Sequence, residues 1–426
     1  MGRYAEARSR GRVKRGRRAE KVGLHRAGDR WKAARNVLAI SMAVLLLSCG
    51  TEQFPCVAAS TGPPCALWVA IGDSPTPAEI TSVGRRYRTV IMNAWDTEKM
   101  RLLRTANPDA TILVYKDLSS TRSYPGAVDN GIDATYLPTG VGYVQAQSTN
   151  QEWFARNANG ERIEWSSAFP GHWQMAVWDQ GYQRAWAEDV VNQVAREGWD
   201  GVFADNDLSD LGHYTNELIA GTSSSEETNQ RLRDGLNVLT ATAGQRLNEA
   251  GKLFVPNVSD ARLFPGRWTE RSRFGGAMEE NFSLQDPSGE NLTVQSPEWD
   301  EMIRQSQDGS GLLLLVNHGS GAAALETGFV ASALLAGDKT CWSAQNDDYR
   351  NPAWSTLQDV PLGSPVSPPV REGNGAWHRE FTGGWVVLNP TGSATSIAVP
   401  AGMQTLDHLP ASEIYLPPGG SEVLVR

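Results

Sequence analysis

Short apolar runs recur along the chain from residue 66 onward, each separated from the next by a polar turn and a segment of helical pattern. The runs are nearly continuous rather than alternating, which is typical of parallel strands covered on both faces. They span residues 66–71, 89–95, 111–118, 201–206, 253–258, 276–282, 312–317 and 339–344. Eight such strands with helices between them predict an α/β fold, a (β/α)8 TIM barrel over residues 66–360.

An open, doubly wound sheet is the alternative architecture. The first strand is followed by Gly72-Asp73-Ser74-Pro75, which lacks the glycine-rich phosphate fingerprint of a nucleotide-binding sheet. The barrel is therefore the favoured fold. Its helices have recognisable ends, since Asp179 is placed to cap one helix and Gly251 to terminate another.

Residues 119–178 form an unusually long connection after the third strand, rich in glycine, serine, asparagine and aromatic side chains. Long irregular loops inside compact domains are uncommon and are usually functional. In a barrel, this loop overhangs the face where active sites lie. Two interpretations stay open: a self-packed subdomain, or a lid that binds substrate.

The pattern changes near the C-terminus. Residues 362–369 are rich in proline, glycine and serine and indicate a linker. Short alternating strands separated by glycine-rich turns then follow in residues 370–426. This pattern predicts a small antiparallel β domain that packs on the barrel.

Charge is distributed unevenly over the 426 residues, whose formal net charge is −9. Residues 1–48 carry 13 of the 39 Lys and Arg side chains and three of the 48 acidic ones. The rest of the chain is therefore strongly acidic and should repel nucleic acid. We expect no nucleic-acid partner.

The basic N-terminal segment leads into an apolar run over residues 37–47, followed by Ser48-Cys49-Gly50. This order is typical of an export signal, and the run is shorter than the about 20 residues that a membrane span requires. Leu46-Leu47-Ser48-Cys49 resembles a bacterial lipobox, which would make residues 1–48 the signal and residues 49–65 a linker. The resemblance implies lipidation of Cys49 and attachment to a membrane through that lipid. A cleaved secretory signal and an uncleaved anchor are the alternatives.

Three further cysteines permit two disulfide pairings. Cys56 and Cys65 enclose a short loop and could pair locally, leaving Cys341 as a free thiol. A Cys65–Cys341 bridge is also possible because both could lie on neighbouring strands. The chain has no CxxC pair and no His/Cys cluster, so we expect no metal or redox cofactor.

Polar side chains follow the apolar runs at the barrel end where catalytic groups sit. A carboxylate leaving a buried strand is partly desolvated, which raises its pKa toward the range of a general acid. The candidates are Trp95 and Asp96 at the end of the second run, Lys116 and Asp117 in the third, Asp205 and Asn206 in the fourth, Asn257 in the fifth, Glu279 and Glu280 in the sixth, and His318 after the seventh.

Two carboxylates facing each other across a ligand are what glycoside hydrolysis requires. We expect Asp205 to be the nucleophile or base and a glutamate of the sixth strand to be the acid. Glu279 and Glu280 are adjacent, so strand alternation points them to opposite sides. Glu280 is preferred because it lies nearer the strand end. The remaining candidates, Trp95, Asp96, Lys116, Asp117, Asn206, Asn257 and His318, are expected to bind the sugar.

Two motifs carry a family resemblance. Residues 198–206, GWDGVFADN, look like the fourth-strand motif of a bacterial hypothetical glycoside hydrolase family, and residues 276–282, GAMEENF, resemble its sixth-strand motif. That family is similar to α-galactosidase-like and endo-α-galactosaminidase-like barrels. The VYKD segment at residues 114–117 and the segment 377–390 also look like it, so that the resemblance spans residues 65–426. It implies a glycosidase with an acidic residue at the end of each of the two strands.

The leading hypothesis is a glycosidase that cleaves O-glycosidic bonds of an extracellular or cell-envelope polysaccharide. A carbohydrate-binding surface lipoprotein without catalysis is the first alternative, although both candidate positions are acidic. A metal-dependent hydrolase is the second, but it would require converging histidine and aspartate ligands, and only His318 lies at a strand end.

Overall fold

The computed structural model describes residues 64–258, 260–280, 282, 294, 297–317, 321–335, 337, 339–344, 349 and 354–426. Cys49, Cys56 and His318 lie outside these residues.

Eight parallel strands close into a barrel, because the first strand pairs with both the second and the eighth. The predicted (β/α)8 fold is therefore confirmed. The strands are β1 Cys65–Ala70, β2 Thr89–Met92, β3 Thr111–Asp117, β4 Gly201–Asp207, β5 Leu253–Val258, β6 Gly276–Glu279, β7 Leu312–Val316 and β8 Thr340–Ser343.

Local capping explains where the helices begin. Thr76 accepts a hydrogen bond from the backbone of Glu79, and the Glu79 side chain returns one to Thr76. Asp179 caps the fourth helix as expected, and Gly198 ends it in the left-handed conformation. The helices are α1 Pro77–Val83, α2 Thr97–Ala106, α3 Tyr143–Thr149, α4 Gln180–Glu197, α5 Ser225–Glu249, α6 Arg267–Ser272, α7 Glu298–Asp308 and α8 Ala322–Leu335.

The core has an inner and an outer layer, separated by the barrel wall. Leu113, Phe203 and Met278 belong to a cluster of side chains that fills the barrel interior. Residues one position away, such as Val114 and Ala277, pack outward against the helices. Because side chains alternate along a strand, the positions that follow Leu113, Phe203 and Met278 by two residues also face the interior. Those positions hold Tyr115, Asp205 and Glu280.

A disulfide joins Cys65 to Cys341, which lie opposite each other in the register of β1 and β8. The structure thus has the second of the two pairings considered from sequence. The bond covalently closes the barrel where its first and last strands meet. Cross-linking residues so far apart in the chain restricts the unfolded state and stabilises the fold.

The C-terminal residues form antiparallel sheets, as predicted. The main sheet packs on the barrel through α8, since Phe329 of α8 shares a core with Val386 and Val423. The strands are β9 Val370–Arg371, β10 Trp377–Phe381, β11 Gly384–Leu388, β12 Thr395–Ala398, β13 Gln404–Thr405, β14 Glu413–Leu416 and β15 Ser421–Val425. Within the described residues, none of the helices has both the length and the apolar character needed to cross a membrane.

Candidate active site

The end of β4 departs from regular strand geometry. The pairing register with β5 shifts between Ala204 and Asp207, and Asn206 adopts a left-handed backbone conformation with φ of 64°. Such a bulge re-aims the side chains around it. Asp205 therefore stays on the interior side, while Asp207 is aimed outward at α6.

Asp207 anchors this bulge. Its carboxylate contacts the guanidinium groups of Arg267 at 3.1 Å and Arg271 at 2.6 Å. Burial alone would raise the pKa of Asp207, but the two arginines outweigh it and hold that pKa below its usual range. Asp207 thus remains charged and ties the end of β4 to α6, which supports the position of Asp205.

Asp205 and Glu280 are joined by one amide nitrogen. Nδ2 of Asn257 donates to Oδ1 of Asp205 at 3.0 Å and to Oε2 of Glu280 at 2.8 Å. Both carboxylates are partly exposed, whereas Asn257 is buried between them. The structure therefore brings together three residues predicted from sequence, on β4, on β5 and directly after β6, with both carboxylates partly exposed.

Two tyrosines also donate to the carboxylates, and sequence reasoning missed both. The hydroxyl of Tyr115 donates to Oδ2 of Asp205 at 2.7 Å, and the hydroxyl of Tyr349 donates to Oε1 of Glu280. Burial raises the pKa of Tyr115 well above its usual value, so this phenol stays a donor. Alternation from Leu113 could have identified Tyr115, but Tyr349 follows the last strand and has no such signal.

The electrostatics of the pair favour retention of one proton. Burial, followed by the charges of Glu280 and Asp117, raises the pKa of Asp205 to about 6. Hydrogen bonds from Asn257 and Tyr115 act in the opposite direction and lower it. Because the two carboxyl groups interact directly, the proton belongs to the pair rather than to one residue. Below about pH 6, the site can therefore supply a general acid beside a carboxylate.

Asp117 is a buried residue that supports the site. This corrects the prediction that it binds sugar. It is fully buried and accepts hydrogen bonds from Arg122 and Asn206, each at 2.7 Å. The backbone amides of Ser119 and Ser120 also donate to it. Because these donors surround it, Asp117 positions Asn206 and cannot reach a substrate.

Asn206 is itself largely buried by its neighbours. Its Oδ1 accepts a hydrogen bond of 2.6 Å from the hydroxyl of Tyr214, and its backbone amide donates to Asp205 at 2.8 Å. Its main contacts are thus to protein groups rather than to an open cleft. Asn206 therefore connects Asp117 and Tyr214 to Asp205 and helps to fix the position of Asp205.

Lys116 was predicted to bind sugar, and this prediction is wrong. Alternation turns its side chain to the outside of the barrel wall, where it is 0% exposed. Its ammonium group donates to Oε1 of Gln193 on α4 at 2.5 Å and to backbone carbonyls of the long loop. Burial lowers the pKa of Lys116 to about 7 despite the nearby Glu197 and Asp189. Lys116 therefore connects the wall, the loop and α4.

Asp96 is also misassigned as a sugar-binding residue. It is buried at the start of α2, where it accepts from Nδ2 of Asn93 at 2.9 Å and pairs with Lys99 at 3.3 Å. These partners occupy its oxygens. Trp95 is 45% exposed and donates to Ser74, so it remains available to a ligand.

Glu279 points away from Glu280, as expected for adjacent strand positions. It is buried in an ion pair with Arg262, outside the barrel interior. Burial raises the pKa of Glu279 to about 7, although Arg262 opposes this rise. The structure therefore places Glu280, and not Glu279, beside Asp205.

The long loop is packed rather than irregular. It contains α3 and the short strand pair Ser120–Arg122 and His172–Gln174. Its Trp165 stacks on Tyr214 with ring centroids 3.7 Å apart, and its Arg122 pairs with Asp117 at 2.7 Å. The loop therefore supports the carboxylate site through Arg122, and through Trp165 packed against Tyr214.

Within the described part of the chain, no group of three or more His, Cys, Asp or Glu side chains is arranged to hold a metal ion.

Residues 104–385 match the model of a family described as hypothetical glycosyl hydrolase family 15. This match covers β4, β5 and β6 and therefore every described residue that contacts Asp205 or Glu280. No curated protein matches the chain.

Three solved structures are similar to this chain over most of their own length. An alpha-amylase from Malbranchea cinnamomea is 11% identical, with 85% of this chain and 96% of that chain covered and a TM-score of 0.47. An alpha-amylase from Geobacillus thermoleovorans is 9% identical, with 84% and 97% covered and a TM-score of 0.44. A variant of the glycoside hydrolase domain of PelA from Pseudomonas aeruginosa is 12% identical, with 68% and 97% covered and a TM-score of 0.42. Likeness at this level does not bear on substrate.

The adjacent glutamates provide a matched pair of variants. Glu280→Gln should lower kcat/KM by about a hundredfold or more, the usual contribution of a general acid, with little loss of stability. Glu279→Gln should keep most of the activity but lower the free energy of unfolding by roughly 1–3 kcal/mol, because it weakens the buried pair with Arg262. Steady-state rates and urea unfolding of both variants test this, and equal activity loss in the two would contradict it.

The Tyr115 hydroxyl should set part of the pH dependence. Its hydrogen bond stabilises the charged form of Asp205 and lowers the pKa of the pair, so Tyr115→Phe should raise that pKa. The alkaline limb of kcat/KM, which marks loss of the shared proton near pH 6 in wild type, should therefore move to higher pH. Profiles from pH 4 to 9 measure this, with the exposed Tyr415→Phe as the control. An unmoved or lowered limb would contradict the assignment.

Proposed function

This chain belongs to hypothetical glycosyl hydrolase family 15 and is a glycosidase. We propose that Asp205 and Glu280 lie on either side of an O-glycosidic bond of the substrate and hydrolyse it with retention of anomeric configuration. The observation that carries the proposal is the pair of hydrogen bonds from Nδ2 of Asn257, one to each carboxylate.

The Asn257 contact limits the distance between the two carboxylates. The two bonds are 3.0 and 2.8 Å long and leave the same NH2 group, whose hydrogens diverge. With the two donors of an amide roughly 120° apart, the two acceptor oxygens are about 5 Å from one another. Retaining glycosidases separate their carboxyl groups by about 5–5.5 Å and inverting ones by about 6.5–9.5 Å. The spacing therefore supports retention.

The hydrogen bonds support Asp205 as nucleophile. Asp205 accepts from Tyr115, Asn257 and the backbone amide of Asn206, and bonds to the charged form of a carboxylate favour that form. Glu280 accepts from Asn257 and Tyr349. We therefore propose Asp205 as the oriented nucleophilic carboxylate and Glu280 as its acid and base partner, which is the division of roles that a retaining mechanism needs.

The mechanism then has two steps. An oxygen of Asp205 forms a bond to the anomeric carbon while the glycosidic C–O bond breaks, and the Glu280 proton passes to the leaving oxygen. In the second step, Glu280 as a carboxylate takes a proton from water, and the water oxygen attacks the anomeric carbon. Asp205 leaves as a carboxylate, Glu280 is again protonated, and the released sugar keeps its configuration.

The substrate is proposed to be an extracellular or cell-envelope polysaccharide, reached by an exported enzyme held to a membrane through lipid on Cys49. The basic leader, the apolar run at residues 37–47 and the lipobox-like segment support export. The Cys65–Cys341 disulfide also supports it, because such bonds persist in oxidising compartments.

A glycan panel tests the proposal. The panel should contain α- and β-linked glucans, galactans and N-acetylhexosamine polymers, each incubated with wild type and with Asp205→Asn. Wild type should release reducing ends from at least one glycan, and Asp205→Asn should lose about 10²-fold or more of that rate while remaining folded by circular dichroism. Proton NMR of the first product should show the anomer of the substrate.

Binding without turnover by wild type would favour the carbohydrate-binding alternative. Release of the opposite anomer would leave the glycosidase assignment intact but would contradict the retaining mechanism.

A further inference from the structure

A cleft lies near the carboxylate site, on the far side of Tyr214 and Asn206 from Asp205 along their chain of hydrogen bonds. It has a volume of about 670 Å³ and lies between the loop that follows β3 and the segment that follows β4. Its walls come from residues 157–159, Ser166 and residues 212–218, and we refer to it as the outer cleft. The volume is within the range of small-ligand sites.

Tyr214 links the outer cleft to the carboxylate site. The residue lines the cleft, and its hydroxyl donates to Oδ1 of Asn206 at 2.6 Å. Asn206 in turn adjoins Asp205 and donates to it through its backbone amide. Tyr214 and Asn206 therefore connect the outer cleft to the proposed nucleophile.

The Tyr214 ring is held rigidly at this junction. It stacks on Trp165 with an interplanar angle of 3° and a centroid distance of 3.7 Å, and Phe169 packs edge-on against it at 5.1 Å. A fixed aromatic wall costs little entropy when a ligand packs against it. Aromatic rings also offer apolar area to the C–H groups of a sugar.

The rim supplies polar groups of the kind that hydroxyls require. Asn159 and Asn216 are exposed, and among the described residues their side chains make no hydrogen bond. Glu217 stands beside them and accepts from Asn157 at 3.2 Å. Amide groups both donate and accept, which matches the hydroxyls of a sugar.

The charge of the lining restricts the sugar class. Its described residues include the carboxylate of Glu217 and the imidazole of His213, and neither lysine nor arginine. An anionic sugar would meet the Glu217 carboxylate with no lysine or arginine in the lining to offset it. The lining therefore favours neutral sugar residues over uronic acids or sulfated sugars.

We propose that the outer cleft is a subsite for neutral sugar residues. These residues belong to the same glycan whose glycosidic bond is hydrolysed by Asp205 and Glu280. This inference rests on the proposed function and extends it, since it makes the substrate an oligosaccharide chain rather than a disaccharide. The cleft binds residues beyond the scissile bond, and Asn159 and Asn216 hold their hydroxyls.

The experiment compares chain lengths. Chains of two and of six residues from each neutral glucan and galactan of the panel are hydrolysed by wild type, Asn159→Ala, Asn216→Ala and Asn192→Ala. Asn192 is an exposed asparagine on the outer surface of α4 and serves as the matched control. Wild type should prefer the six-residue chain, and each cleft variant should reduce that preference by about fivefold through KM, the effect of one lost hydrogen bond. Asn192→Ala should keep the wild-type preference.

The outcomes separate the two proposals. Hydrolysis with the same length preference in all four proteins would contradict the proposal that the outer cleft is a subsite, but it would not contradict the proposed function. Binding of six-residue chains that Asn216→Ala weakens, without hydrolysis, would support the cleft and overturn the proposed function. Neither binding nor hydrolysis of any chain would overturn both.

Discussion

The candidate site depends on one buried amide that holds two carboxylates a few ångströms apart. Two like charges at that distance and partly out of water repel each other, and the pair lowers its energy either by taking up a proton or by accepting hydrogen bonds. Asn257 donates to both groups at once, and Tyr115 and Tyr349 each donate to one. The same hydrogen bonds that stabilise the two carboxylates also set the distance between them and the number of protons that the pair holds. These two properties determine what the pair can catalyse.

Regular alternation of side chains along the strands, together with one bulge in β4, produces this arrangement. Alternation along β3, β4 and β6 turns Tyr115, Asp205 and Glu280 into the barrel interior, above a packed layer of apolar side chains. The bulge after Asp205 then breaks the alternation, so Asp207 can be clamped by Arg267 and Arg271 instead of competing for the same space. Behind the site, Asp117 and Arg122 form a buried ion pair that holds Asn206. The long loop therefore contributes to the support of the two carboxylates.

Most of the framework could be predicted from sequence, because apolar runs and strand alternation are local properties. They predict the barrel, the C-terminal sheet and the orientation of Glu280 relative to Glu279. The supporting residues could not be predicted in this way. Lys116 and Asp117 stand at strand ends like true ligand-binding residues, and only the packing of α4 and the long loop shows that both are buried. The bulge at Asn206 and the approach of Tyr349 are likewise products of tertiary structure.

The central claim is that Asp205 attacks the anomeric carbon while Glu280 acts as the acid. A 2-deoxy-2-fluoro glycosyl fluoride of the sugar that wild type releases would trap the covalent intermediate, since the fluorine slows its hydrolysis. Mass spectrometry of the labelled protein should show one added glycosyl group, and peptide mapping should place it on Asp205. A label on Glu280, or release of the hydrolysed sugar with inverted configuration, would contradict the account.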